Sequence, residues 1–256
     1  MTSAAIQGYK LNVLGIEDSY VVEVHDPKLK KLYGMKAFLS DRSALAQLGV
    51  NDDTVLIFAD ASDILYLGPY DEALKLISKH VIRTGRDGVV LLAGERNCWP
   101  YLHANKERLR GGKHICDQFP HKKSSFRFLN AGAYAASLKP MRAFVDVLHG
   151  NIKSNFSDDQ LVFQELYLSQ VREGRDARFE IVVDHQSALF QTGHRTNLES
   201  IETYNKPESG NAYFDSTEGR VYNSESGNRP FLVHFNGGKA AFEEVARSFG
   251  LLQVSQ

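Results

Sequence analysis

Thr54-Val-Leu-Ile-Phe-Ala-Asp60-Ala-Ser-Asp63 is the stretch on which the fold turns. Residues 54–59 are apolar from Val55 on and bounded by polar positions, the pattern of a strand buried on both faces. The run stops at two carboxylates. In open α/β sheets, ligands bind beyond the carboxyl ends of the strands. Mg²⁺ or Mn²⁺ favours one or two carboxylates together with phosphate oxygens, so Asp60 and Asp63 could hold a metal and, through it, a nucleotide diphosphate. The same residues equally suit a plainer task, capping the turn or helix that follows. A phosphatase of the aspartyl-phosphate type also places Asp after a strand, but it needs a second Asp two residues on, where Ser62 stands.

Working outward, Pro69 and Asp71 open a helix whose Leu74, Ile77 and Val81 share one face. Residues 88–94 (GVVLLAG) form a second buried strand. Upstream, residues 33–47 carry Met35, Leu39 and Leu45 at helical spacing and end at Gly49. Downstream, residues 126–137 read as strand, and 140–148 as a helix with Met141, Phe144, Val145 and Leu148 inward. A helix over 157–168, a strand over 179–183 and a late strand over 231–235 follow, with a polar, turn-rich meander across 192–229. Alternating strands and helices predict an open α/β sheet. No repeat or low-complexity tract interrupts it, and a chain of 256 residues with 43% apolar content is expected to form one domain.

A net charge of −1 with no dominant Lys or Arg run argues against nucleic acid and against a polybasic membrane patch. The longest apolar runs are too short to span a bilayer, and residues 1–20 carry no secretory signal pattern. Cys98 and Cys116 are the two cysteines. They read either as separate buried thiols or as a disulfide pinning the long segment 95–127, worth about 3 kcal/mol for a loop of that size.

Four further motifs carry possible chemistry. Ser157-Asp158-Asp159-Gln160 precedes an apolar helix; Ser157 and Gln160 suit a capping box, and the two Asp suit the helix dipole. Facing a cleft, the same carboxylates could orient or deprotonate an acceptor hydroxyl. His234-Phe-Asn-Gly237-Gly-Lys239 leaves a strand into a glycine turn, where an imidazole could meet a metal and Lys239 a diphosphate. It also reads as a plain strand-ending turn. Glu95-Arg-Asn-Cys-Trp99-Pro100 holds the sole Trp, a platform for sugar or base or simply a packing residue. In Phe128-Leu-Asn130-Ala-Gly132, small residues suggest close approach, and Asn130 could bond sugar hydroxyls; an ordinary sheet glycine is the plainer reading.

The order of these motifs resembles the glycosyltransferase domain of procollagen lysyl hydroxylases and related collagen glycosyltransferases. The matching landmarks are Asp60 and Asp63, Ala93-Gly-Glu95 with Cys98-Trp99-Pro100, Phe128-Leu-Asn130-Ala-Gly132, and Asp158-Asp159-Gln160-Leu161. Asp184-His185-Gln-Ser187 with Phe190-Gln191, and His234 with Asn236-Gly237, complete a collinear set across roughly residues 30–240. The resemblance implies a GT-A type fold, a Rossmann-like mixed sheet flanked by helices, with a UDP-sugar donor and Mn²⁺. By position, Asp60, Asp63 and His234 would be the metal ligands. Lys239 and Gly237 would lie near the diphosphate, with Ser62, Trp99 and Asn130 at the donor. Asp158, Asp159 and Glu95 would serve the sugar and acceptor.

It implies two departures. The family has an aromatic residue that stacks on uracil where this chain has Ser62. The chain also begins within the family's first helix, without the preceding first strand or a signal peptide, although the family works in the secretory pathway, in the endoplasmic reticulum. Two functions are therefore weighed. One is transfer of a hexose from UDP-sugar to a hydroxylysine-type or other protein or glycoprotein acceptor. The other is a non-catalytic GT-A-like module that binds nucleotide-sugar or glycan.

Overall fold

The computed structural model describes residues 2–11, 29–83, 88–101, 112–152, 158–174, 178–207 and 211–251. After the short helix α1 (Thr2–Ile6), the elements are α2 (Lys30–Ser40), α3 (Arg42–Gln47), β1 (Val55–Ala59), β2 (Ile64–Tyr66), α4 (Tyr70–Arg83) and β3 (Val89–Glu95). Then come α5 (Gly112–Gln118), β4 (Phe128–Ser137), α6 (Leu138–Gly150), α7 (Asp159–Glu173), β5 (Glu180–Asp184) and β6 (Phe190–Thr192). The hairpin β7 (Ala212–Asp215) and β8 (Arg220–Asn223), then β9 (Leu232–His234) and α8 (Lys239–Ser248), complete the order.

A four-stranded mixed sheet in the order β1-β4-β3-β5 lies at the centre. β4 runs antiparallel to both β1 and β3, while β5 is parallel to β3. Strand alternation sends Val90, Leu92, Leu129 and Tyr134 into a core shared with α2, α6 and α7. Leu91, Ala93, Ala133 and Ala135 enter a second core with α1, α4 and Phe190 on the opposite face. This is the α/β sheet that the alternating pattern predicts, mixed and flanked by helices as the resemblance implies. A second sheet, β2-β9-β6, joins β2 antiparallel and β6 parallel to β9.

Several expectations are corrected. β1 is half-buried along its whole length and lies at the sheet edge, with no strand on its outer side among the described residues. A continuous apolar run thus marks a covered strand here, not a central one. The helix expected over residues 33–47 breaks in two at Asp41, whose backbone is extended and whose carboxylate accepts from Ala44 N at 2.9 Å, capping α3. Ser157 lies outside the described residues; the N-cap of α7 is Asp158, whose Oδ1 accepts from Gln160 N at 3.0 Å. Gln160 closes no capping box, because its side chain turns inward to Glu95. The glycine turn expected after β9 is present at Asn236–Gly237, with Lys239 exposed, and α8 follows it. Cys98 and Cys116 form a disulfide, with Cα atoms 6.0 Å apart.

The β3–β4 ladder slips where the sheet meets the site. Leu92 pairs with Tyr134 but Ala93 pairs with Asn130, so residues 131–133 of β4 bulge away from β3 while Ala133 keeps its partner Ala59 in β1. Bulges re-aim side chains and backbone beside functional sites. Asp60 N donates to Gly132 O at 2.8 Å, which fixes the end of β1 against that bulge.

Candidate functional site

Two sheet ends bring the carboxylates and the imidazole together. Asp60 follows the last residue of β1, and Asp63 precedes β2. Ile64 of β2 pairs with His234 of β9, and Phe235 N donates to Asp63 O at 2.8 Å, so the register sets Asp63 beside His234. His234 Nε2 lies 3.3 Å from Asp63 Oδ2 and 3.9 Å from Asp60 Oδ2. Ligand atoms of all three residues fall within 4.8 Å of one another.

Asn130 orients the imidazole. Its Oδ1 accepts from Gly132 N at 2.8 Å, which identifies that atom as the amide oxygen, and it meets His234 Nδ1 at 3.1 Å. An amide oxygen only accepts, so Nδ1 carries a proton and Nε2 faces the two carboxylates. Gly132 makes room for the ring: a Cβ there would come within 2.2 Å of His234 Cε1.

Burial pushes the Asp63 carboxyl up, but a hydrogen bond to His234 and its charge outweigh this and hold it below its ordinary value. Asp63 Oδ1 is buried with no hydrogen-bond partner. Two carboxylates, one oriented imidazole and an orphaned carboxylate oxygen fit a divalent cation such as Mn²⁺.

Below the triad sits a buried carboxyl wrapped by amides. Glu95, at the end of β3, is 2% exposed. Its Oε2 accepts from Asn130 Nδ2 at 2.8 Å and Asn236 Nδ2 at 3.1 Å, and its Oε1 from Gln160 Nε2 at 3.0 Å. Burial drives its pKa up to about 7, while the amide donors pull the other way.

Lys31, from the first turn of α2, reaches across from the opposite side. Its Nζ donates to Asp60 Oδ1 at 2.9 Å and to Ala131 O at 3.3 Å, and it pairs with Asp159 Oδ2. Burial alone would lower the ammonium's pKa; the charges and hydrogen bonds of Asp159 and Asp60 reverse this and raise it. Asp159 is held above the usual carboxylate range by burial, with Lys31 opposing. Beside it, Asp158 Oδ2 accepts from Trp99 Nε1 at 3.0 Å.

A cleft of about 410 Å³ connects these groups. Lys31, Asp60, Glu95, Trp99, Asn130 and His234 line it, as do Asp158, Asp159 and Gly237. Of the residues expected from sequence, Asp63, Ser62 and Lys239 do not line it: Asp63 stands beside His234, Ser62 is exposed in the turn before β2, and Lys239 is exposed at the start of α8. Sequence reasoning missed Lys31, which belongs to none of the motifs. It also missed His194, which lines the cleft with Nδ1 2.9 Å from Glu199 Oε1. Gln160 and Asn236 stood inside quoted motifs but received no role in the site.

Among the described residues, no helix is long and apolar enough to cross a membrane. A sequence model of the PLOD GT domain matches residues 1–246. The chain is 25% identical over 198 residues to procollagen-lysine,2-oxoglutarate 5-dioxygenase 2 of Mus musculus, covering 77% of this chain and 22% of that protein. It is 24% identical over 237 residues to procollagen-lysine,2-oxoglutarate 5-dioxygenase 1 of Gallus gallus, covering 92% of this chain and 27% of that protein. The match therefore spans about a quarter of these relatives' length. With much of the collinear set gathered around one cleft and the family's sequence model matching nearly the whole chain, the chain belongs to the PLOD GT domain family and is a glycosyltransferase-type domain.

Proposed function

We propose that this domain transfers a hexose from a UDP-sugar to a hydroxyl on a protein or glycoprotein, of the hydroxylysine or glycosyl-hydroxylysine type, with Mn²⁺ held by Asp60, Asp63 and His234. The observation that carries the reading is the convergence of these three residues within 4.8 Å, with the imidazole oriented by Asn130. Charge supports it. Asp60, Asp158, Asp159 and Glu95 line one cleft with Lys31, and Asp63 stands beside His234 at its wall, an excess of carboxylates that would repel a diphosphate unless a cation intervened. When bound, the ion supplies neutralisation of the departing diphosphate.

The chain's own residues do the rest. Asn130 holds the His234 tautomer through Nδ1–H. Lys31 keeps a positive charge against Asp60 and Asp159 and limits their mutual repulsion. Trp99 offers an aromatic face to the sugar, held by its indole N–H on Asp158. Asp159 or Asp158 orients or receives the acceptor proton, and Glu95 fixes the amides beneath the donor. We take residues 1–256 as one domain and place its action in the endoplasmic reticulum lumen; the buried Cys98–Cys116 disulfide supports an oxidising compartment.

The test is Mn²⁺-dependent release of UDP from UDP-glucose and UDP-galactose, with and without hydroxylysine peptide. Turnover abolished by chelation and by Asp60→Asn is expected. UDP binding with no turnover on either donor would favour the non-catalytic module, for which Ser62, exposed where the family stacks uracil, is the supporting observation.

A further inference from the structure

We infer that the Cys98–Cys116 disulfide is a positioning element for the Trp99 wall of the cleft, setting the indole against Asp158. The inference rests on the transfer reading above and assigns one of its working parts.

Residues 97–101 follow β3 and carry Asn97 and Trp99 into the cleft. The segment is held from two directions. Trp99 Nε1 donates to Asp158 Oδ2 at 3.0 Å, at the cap of α7, and Tyr101 Oη donates to Glu165 Oε1 at 2.7 Å, further along that helix. Between these contacts, Cys98 is bonded to Cys116 of α5. α5 is itself anchored: Arg127 donates to the carbonyl of Cys116 at 3.0 Å and to that of Phe119, and Arg172 of α7 donates to Gln118 Oε1 at 3.0 Å. The wall, α5 and α7 thus form a closed circuit, and the disulfide is its covalent cross-link.

Both cysteines are buried, at 0% and 6% exposure, so the bond is packed into the core beside the wall and does not decorate a surface loop. Removing it leaves the segment to non-covalent contacts, among them the indole N–H on Asp158, the Trp99 carbonyl accepting from Gln160 Nε2 at 3.3 Å, and Tyr101 on Glu165. The triad, by contrast, is mounted on β1, β2 and β9, none of which the disulfide touches. Loss of the bond should loosen the sugar and acceptor side while sparing the metal and diphosphate side.

Trp99 is the only tryptophan, so its fluorescence reports on the wall directly. The experiment compares the oxidised protein with the Cys98→Ser/Cys116→Ser double variant and with wild type reduced by a phosphine. In that reduction the S–S bond takes two electrons and two protons to give two thiols, and with water the phosphine becomes its oxide. With far-UV dichroism unchanged, iodide quenching of Trp99 should rise at least about twofold and kcat with UDP-hexose fall about tenfold or more, as a displaced wall misaligns the reactants. UDP affinity in Mn²⁺ should stay within about twofold, and in a Trp99→Phe background loss of the disulfide should add less than its effect in wild type, because both act through one contact.

Unchanged quenching with unchanged kcat overturns the inference. So does UDP affinity falling as far as kcat, or loss of native dichroism in both disulfide-free forms, which would make the bond a folding staple only. If no UDP-hexose turns over even in the oxidised wild type, the transfer reading fails, while quenching and UDP calorimetry still decide whether the bond positions Trp99.

Discussion

Replacing Lys31 with Met removes the ammonium that bridges Asp60 and Asp159. Lys31 and Asp60 are about a third exposed, at 31% and 34% by side chain, and Asp159 is 12% exposed. Breaking a fully buried pair costs about 3–5 kcal/mol, and an exposed one about 0–1 kcal/mol. This pair lies between, so a loss of about 1–3 kcal/mol is expected once solvent screening is allowed for. In a domain of this size that corresponds to a fall in Tm of about 3–10 °C.

The pH dependence has a definite sign. The Lys31 pKa is raised in the folded state, so its contribution is complete below the unfolded lysine value of about 10.4 and is lost only as pH rises through the higher folded value. Asp159 sits above the usual carboxylate range, so acid protonates it early and removes the repulsion that Lys31 relieves. The gap between wild type and Lys31→Met should therefore be flat from neutral pH into mild alkali and narrow toward acid. Mn²⁺ should stabilise the variant more than wild type, because the ion supplies the missing positive charge. Thermal unfolding across pH 5–9, in chelator and in Mn²⁺, is the assay. A variant within about 1 °C of wild type in chelator, or a gap that widens in acid, would refute the reasoning.

Other outcomes follow from the same geometry. Glu95 has its folded pKa raised to about 7, so it contributes stability that is full below the unfolded value and is lost as pH rises through the folded one. Stability of wild type should fall between about pH 4.5 and 7 relative to Glu95→Gln, by up to about 3 kcal/mol, in denaturant titrations; parallel profiles would remove that role. Gly132→Ala drives a methyl into the His234 ring and should weaken Mn²⁺ binding by about 10- to 100-fold at a stability cost of about 1–3 kcal/mol, read by calorimetry and Tm. Unaltered Mn²⁺ affinity in that variant would argue against His234 as a ligand. Ser62→Tyr restores an aromatic before Asp63 and should tighten UDP binding by about 1–3 kcal/mol through base stacking; no gain would place the uracil elsewhere.

The site was partly legible in the sequence, and the limits have physical causes. β3 could be read because seven successive residues are buried, and an apolar run records just that. The run in β1 reads the same way, yet apolarity does not encode position in the strand order, and β1 lies at the edge. The helix period carries across residue 41, so the break at Asp41 hides behind it. Gly132 did signal close approach; what approaches is the His234 ring, brought by a strand a hundred residues away. Glu95 draws its partners from 35, 65 and 141 residues along the chain, and no local pattern records them. Lys31 has no signature either. Only folding brings it to Asp60 and Asp159.

The most direct test is titration calorimetry of UDP into the protein in chelator, in Mn²⁺, and in Mn²⁺ with Asp63→Asn. If Asp60, Asp63 and His234 hold the ion that receives the diphosphate, UDP binds in Mn²⁺ and is weakened at least about tenfold by chelation or by Asp63→Asn. UDP binding of equal strength in all three conditions would contradict the account.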